Sequence, residues 1–469
     1  MTVRDTRHAP IFRGAFPTAA EVEASTPPER DRALDVIRIA ALVGVVAGHT
    51  IMATSVIDHG VFRWGNLLTT SVVFQALTWV FQIMPLFFFA GVAASVDSYR
   101  AGGQERSDRG ISPSPSWGGW LLKRCTRLYR PVFYYLAFWG VALLGLQHVL
   151  PQHVYEPIAG ISIQLLWFLG AYVLVLASVP VLTRITSLPR LVAAVGTTYA
   201  VVGIVDYLRV ADPGWTALAY VNFVAWLIPG MFGVAYRRGL LSPRAGLGLG
   251  LAMLGVNVAW YLVGPYQLSL VGIDAAGLRN MTPPSLLLAG HAIMLCAFAI
   301  AAASAIRRWA GRPQVWRLAV IGNTGAMTLY LWHMPLLLGL HLGFDYLGLP
   351  RFPGHPHLVV LAVVQLILMA VLMSVTFVAL RPLENDPLPL WDGGRVAGPG
   401  LRSATVGVLL CLAGAATLAS CAWGLKDEGL WCVAIIVVSL AGARLLASRK
   451  LEPADRRLRV PAAAGRADR

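Results

Sequence analysis

Apolar residues fall along this chain in long runs separated by short polar stretches. The runs cover about 33–57, 71–97, 130–149, 162–182, 191–206, 217–236, 245–264, 285–305, 318–341, 358–380, 403–423 and 430–447. A helix that crosses a bilayer needs about 20 mostly apolar residues. The pattern therefore predicts an all-α fold, a polytopic integral membrane bundle of ten core spans with about two C-terminal spans. The fifth run is the shortest. Residues 391–402, beginning WDGGRVAGPG, interrupt the pattern as a Gly-rich linker and divide the ten-span unit (30–390) from two additional helices (403–447). Residues 1–29 combine Pro, Ala and charge without an apolar core, so they predict a disordered cytoplasmic tail rather than a cleaved leader. Residues 448–469 predict a basic cytoplasmic tail. No internal repeat of the kind that marks two inverted transporter halves is visible.

Composition agrees with the runs: 57% of the 469 residues are hydrophobic and 13% charged, against roughly a quarter charged in soluble domains. The net charge of +15 would suggest nucleic acid in a soluble protein. Its distribution says otherwise. With the N-terminus inside, the outward connections hold only Arg63, Arg209, Arg279, Arg351 and Lys426 of the 38 basic residues. The inward ones hold Arg106, Lys123, Arg184, Arg237, Arg307, Arg395 and many more. This is the positive-inside bias, so the expectation is a plasma (inner) membrane protein with both termini cytoplasmic, lipid around it and no nucleic-acid partner. Five scattered cysteines (Cys125, Cys296, Cys411, Cys421, Cys432) lack metal-ligand or redox spacing and read as buried apolar residues.

Three stretches carry polar chemistry inside or beside a span. The first, RDRALDVIRIAALVGVVAGHT (30–50), puts Arg38 and His49 in one helix eleven residues apart. Eleven steps of about 100° return nearly to phase, so both share a face, separated by about 16 Å of axis. Asp35 lies three residues before Arg38 and can pair with it. A charge at the bilayer centre costs about 3 kcal/mol on insertion scales. Arg38 is close enough to the interface to snorkel, whereas His49 lies deep and reads as functional. The second stretch, LLKRCTRLYRPVFYY (121–135), gathers Lys123, Arg124, Arg127 and Arg130 before Pro131. These cations fit a topology signal, an anionic-lipid contact or a phosphate site. In the third, MTLYLWHMPLLL (327–338), His333 sits mid-span among aromatics with Pro335 close by, which fits either packing or a site. His148, His153, His355 and His357 lie in outward loops without ligand spacing, and Asp58 and His59 sit at the outer mouth; no metal site is expected.

In this order and placement the stretches resemble the acyltransferase type 3 family, multi-spanning membrane enzymes that acylate glycans, lipids, peptides and some antibiotics. The matching pieces are Arg38 and His49 in the first span, R-x-x-R-L at Arg124 and Arg127 followed by Pro131, LWFLGAYVLVL (166–176), and LYLWHMPLL (329–337). Residues 264–288 also resemble an outer loop found in part of the family. The resemblance covers roughly 30–390 and departs from many relatives in having two extra spans where an extracytoplasmic hydrolase-like domain often follows.

The resemblance implies transfer of an acyl group, acetyl being the expected one, from cytoplasmic acyl-CoA to a hydroxyl of an outward-facing glycan, glycolipid or secondary metabolite. No bound cofactor is implied; acyl-CoA is the donor substrate. Arg124 and Arg127, with Lys123 and Arg130, would meet the CoA phosphates. His49 would be the base, its ordinary pKa near 6.5 suiting neutral pH, or the carrier of the acyl group. Asp35 and Arg38 would organise the inner half of the path, and His333 would orient His49 or bind the acceptor. The competing readings are a transporter that uses Arg38 and His49 as an intramembrane substrate or proton site, and a non-catalytic scaffold.

Overall fold

The computed structural model describes residues 16–59, 61–107, 116–273, 277–396 and 398–449; the expected basic tail from 450 onward lies outside them. The first span is helix α2 (Arg32–Met52), preceded by a short α1 (Ala19–Ser25). Asp31 caps α2 by accepting from the Ala33 amide at 3.1 Å, and Asp35 sits in its first turn, where a carboxylate suits the helix dipole. Asp31 also accepts from the Tyr236 hydroxyl at 2.6 Å and pairs with Arg307 at 3.4 Å, tying the start of α2 to two later helices.

Part of the expected disordered tail is ordered. A capping box closes α1: Glu21 Oε2 accepts from the Thr18 amide at 2.7 Å, and the Thr18 hydroxyl accepts from the Glu21 amide. The Thr18 amide and hydroxyl both donate to the Glu21 carboxyl and hold it below its usual range, the backbone bond being the stronger cause. Val22 is buried with Trp316.

The apolar run expected to continue as helix to residue 57 ends at Met52. Residues 53–58 instead form β1 (Ala53–Asp58), which pairs antiparallel with β2 (Val61–Asn66). The Thr54, Val56 and Ile57 side chains are branched at Cβ and suit a strand, and His59 turns the hairpin with a positive φ of 49°.

The second span is split into α3 (Val72–Phe81) and α4 (Met84–Ser107). Pro85 supplies no amide hydrogen and is favoured in a first helical turn, which is where it sits as α4 restarts. The third is one helix of 33 residues, α5 (Trp117–Val149), begun by a Ser116 cap. The cationic stretch is thus its first half rather than a loop.

The remaining helices are α6 (Gln152–Ile161), α7 (Leu166–Ala177), α8 (Val179–Leu182), α9 (Leu188–Ala211), α10 (Leu227–Arg237) after a 3-10 stretch (Pro213–Trp226), α11 (Pro243–Val263) and α12 (Leu286–Ala310). They are followed by α13 (Pro313–Thr324), α14 (Ala326–Tyr346), α15 (Leu358–Asn385), α16 (Leu401–Ser420) and α17 (Glu428–Leu446). A two-residue pair joins β3 (Gly394–Arg395) to β4 (Ser448–Arg449).

Among the described residues, eleven helical segments are long and apolar enough to cross a membrane. The expected ninth span, 318–341, differs: Gly325 divides it into α13 and α14, and α14 carries two buried histidines, His333 and His341. The protein is a polytopic membrane helical bundle. Its main core packs α5, α7 and α16 with α4 and α14, centred on Leu121, Tyr129, Phe168, Leu331 and Leu410. We call the end where α2 begins the basic rim and the end with the β1–β2 hairpin the far rim.

The linker and the two final helices are part of this bundle. Gly118 of α5 and Gly170 of α7 lie so close to the α16 backbone that a Cβ on either would collide with it. Tyr129 and Thr417 hydroxyls are 3.0 Å apart across the same interface.

Candidate active site

Three helices assemble the intramembrane polar residues. On α2, Arg38, Ala41, Leu42, Val45 and His49 follow a spacing of three or four and form one stripe. His49 ends that stripe near the far rim, and α14 meets it there. His49 Nδ1 lies 3.0 Å from His333 Nε2, with the two rings stacked at 5.2 Å between centroids. Behind it, His333 Nδ1 lies 2.7 Å from the Tyr330 carbonyl and 3.2 Å from that of Leu329.

The carbonyls assign the protons. A carbonyl oxygen only accepts, so His333 carries its hydrogen on Nδ1 and presents a lone pair at Nε2. That lone pair takes the Nδ1 hydrogen of His49. The Nε2 of a neutral His49 is therefore bare. The relay fixes both the orientation and the tautomer of His49, as a carboxylate does for the histidine of a catalytic triad.

The two histidines differ in access. His333 is fully buried. His49, by contrast, is exposed. Below it, toward the basic rim, is a small and wholly apolar cavity. Ala41, Leu42 and Val45 of the α2 stripe form one wall; Met84, Phe87, Phe168 and Tyr330 form the other. Phe168 belongs to the LWFLG stretch singled out in the sequence.

Arg38 marks the opposite end of the stripe. Its Nε donates to Asn323 Oδ1 at 2.6 Å, and its terminal nitrogen lies 3.5 Å from Asp35. Asn323 in turn donates to the backbone carbonyls of Asp35 and Ala319 at 3.0 and 2.7 Å, locking α13 to α2. Asp35 also pairs with Arg30 at 2.7 Å. Arg124 of α5 donates to Ser98 at 2.5 Å, packs its guanidinium over Trp120, and lies within electrostatic reach of Arg38, Arg127 and Tyr172. Lys123 and Arg127 are exposed on the same helix.

Arg130 does not join this group. It is 7% exposed, forms a two-pronged pair with Asp392 of the linker, and donates to the carbonyls of Glu384 and Asn385 at 2.8 and 3.0 Å. Its donors are spent within the fold, so its inclusion among donor-binding residues is corrected: it fastens α5 to the linker. The reason is phase, since Arg130 faces the α15 end while Arg124 faces Ser98.

Residues the sequence did not single out hold the elbow between α13 and α14. Glu384 accepts from the Thr328 amide and hydroxyl, each at 2.9 Å, and from the Met327 amide at 3.3 Å, so it caps α14 from another helix. Asn385 donates to the Thr324 carbonyl at 2.8 Å. Their only sequence signal is the polar RPLEN at the end of a long apolar run. At the far rim, Arg351 is buried and donates to the Thr50 carbonyl at 2.9 Å, to the Ile51 carbonyl and to Gln365 at 2.8 Å. Burial pulls its pKa down to about 10, which leaves it a cation at neutral pH. No group of three or more His, Cys, Asp or Glu able to hold a metal occurs among the described residues.

The chain is thus a many-spanning helical bundle with a histidine pair inside it and a cationic rim. Residues 31–378 match the acyltransferase domain of the acyltransferase type 3 family, and the chain belongs to that family. No match was found among curated proteins or among solved structures. The protein is thus a multi-pass membrane acyltransferase, and α16 and α17 lie beyond the matched segment.

Proposed function

We propose that this protein is an O-acyltransferase that moves an acyl group, acetyl being the one expected, from acyl-CoA at the basic rim to a hydroxyl of an acceptor at the far rim. In this reading the basic rim is cytoplasmic, as the positive-inside bias favours. The observation that carries the proposal is the His49–His333–Tyr330 relay. It leaves a bare, accessible nitrogen at one end of a helix face whose other end carries Arg38.

The donor's polyanionic head suits Lys123, Arg124 and Arg127, with Arg38 beside them. Its slender arm would follow the α2 stripe past Ala41, Leu42 and Val45, parting the side chains around the small apolar cavity, and bring the thioester to His49. There the acceptor hydroxyl gives its proton to His49 Nε2 as its oxygen attacks the thioester carbonyl. The positive charge that forms on His49 is shared with the His333 lone pair through the Nδ1 hydrogen. The tetrahedral intermediate then expels the CoA thiolate, which takes the proton back from Nε2. His49 ends as it began.

Sided proteoliposomes containing the full chain test this reading. Labelled acetyl-CoA enclosed with the basic rim should be turned over, and offering it only to the far rim should give none. Turnover from the far rim, or from both equally, would overturn the assignment of the donor side.

A further inference from the structure

Between the cationic rim and the apolar cavity stands a tyrosine that the transfer step does not use. Tyr172, on α7, is 8% exposed. Its ring stacks on Phe168 at 6.1 Å between centroids and meets Phe87 edge-on at 5.5 Å. Both phenylalanines line the cavity. Its hydroxyl lies against Gly91 of α4, where a Cβ would collide with it. Helix α4 fixes the order of these features. Phe87, Gly91 and Ser98 are spaced by four and then seven residues and share one face. That face therefore runs from the cavity, past the Tyr172 hydroxyl, to the serine that Arg124 meets. Arg38 and Arg124 are both within electrostatic reach of the same tyrosine. No hydrogen bond among the described residues uses its hydroxyl. A buried tyrosine hydroxyl usually finds a partner, and one set beside two guanidinium groups offers its hydrogen to an anion.

We propose that Tyr172 completes a phosphate subsite with Arg38 and Arg124, and that the subsite takes the phosphate ester at the end of the donor's pantetheine arm. The proposal rests on the acyl-transfer reading above and deepens it by giving one donor phosphate one place. Length supports the assignment. Arg38 and His49 stand about 16 Å apart along α2. The arm holds about thirteen bonds between that phosphorus and the thioester sulfur, roughly 15 Å when extended at about 3.5 Å per three bonds. With the thioester at His49, this phosphate comes level with Arg38, and the nucleotide beyond it stays at the rim with Lys123 and Arg127. The two guanidinium groups supply charge, and the Tyr172 hydroxyl donates a hydrogen bond to a phosphate oxygen. The aromatic wall begins where the phosphate ends, so only the uncharged arm passes on toward His49. The subsite therefore distinguishes a phosphorylated arm from a bare one and does not depend on the nucleotide.

Calorimetry on the full chain in lipid nanodiscs, with CoA, 4′-phosphopantetheine and pantetheine as probes, tests this directly. The unaltered protein should bind 4′-phosphopantetheine more tightly than pantetheine. Tyr172→Phe keeps the ring and removes only the hydroxyl. It should weaken CoA and 4′-phosphopantetheine about tenfold or more, as loss of a hydrogen bond to a charged group does, and leave pantetheine within about twofold. The melting temperature should stay where it is. Equal affinity of Tyr172→Phe and the unaltered protein for CoA would overturn the proposal. So would an equal loss for pantetheine, the mark of a residue that only shapes the wall, or 4′-phosphopantetheine binding no better than pantetheine. Failure of the acyl-transfer reading looks different: transfer of label from acetyl-CoA would not depend on His49, while the phosphate-dependent binding and its loss in Tyr172→Phe would persist.

Discussion

Polar side chains at membrane depth divide into those whose bonds are all spent within the fold and those that leave an atom over. Arg130 belongs to the first kind: each of its three nitrogens meets Asp392 or a carbonyl. Arg130→Gln should therefore act on stability, lowering the melting temperature because it leaves Asp392 without its partner; breaking such a buried pair costs about 3 kcal/mol. Arg124 and Arg127 belong to the second kind. Replacing both by Gln should raise the KM for acyl-CoA by about tenfold or more with a smaller effect on kcat, and should flatten the dependence of donor binding on salt. An unchanged KM in steady-state kinetics would remove them from the donor site. His333 touches no substrate in this account and acts through His49. His333→Leu should reduce kcat by about a hundredfold with little change in either KM, because His49 loses the acceptor that fixes its orientation and tautomer. Parallel losses of folding yield and KM would instead mark His333 as packing alone.

At the scale of elements, the site depends on contacts between helices far apart in the chain. The α5 helix that carries Lys123, Arg124 and Arg127 lies against α16, outside the family match, through Gly118, Ser403 and Gly407. Gly118→Val would drive a side chain into the Ser403 carbonyl, so it should destabilise the bundle by roughly 1–3 kcal/mol or more, read as a lower unfolding temperature in detergent.

This scale also separates what could be seen in the sequence from what could not. Apolar run length gave most spans, because one physical requirement, bilayer thickness, sets it. The breaks at Gln82–Ile83 and Gly325, and the turn into β1 after Met52, sit inside continuous apolar runs where hydropathy does not change. Pro85 and the branched residues of β1 were the local signals. The phase of Arg38 and His49 was legible because both lie on one helix. The partnerships of His49 with His333, Arg38 with Asn323 and Arg130 with Asp392 bridge more than 260 residues each, and no local pattern encodes them. The placing of Tyr172 beside Arg38 and Arg124 went unseen for the same reason.

For the whole molecule, the polar features fall in an order along the bundle. Cations at one rim, an apolar cavity along the α2 stripe and the histidine pair follow one another from the basic rim toward the far rim. In the proposed reading a donor held at one end and an acceptor held at the other meet where the relay stands, and that makes His49 the centre of the account. The most direct measurement is transfer of labelled acetyl from acetyl-CoA by His49→Ala, compared with the unaltered protein at matched amounts in the same membranes. The account predicts that transfer falls by about 10²- to 10⁴-fold while the protein remains folded by its melting profile. Transfer within about twofold of the unaltered protein, well short of the smallest loss expected for a general base, would contradict it.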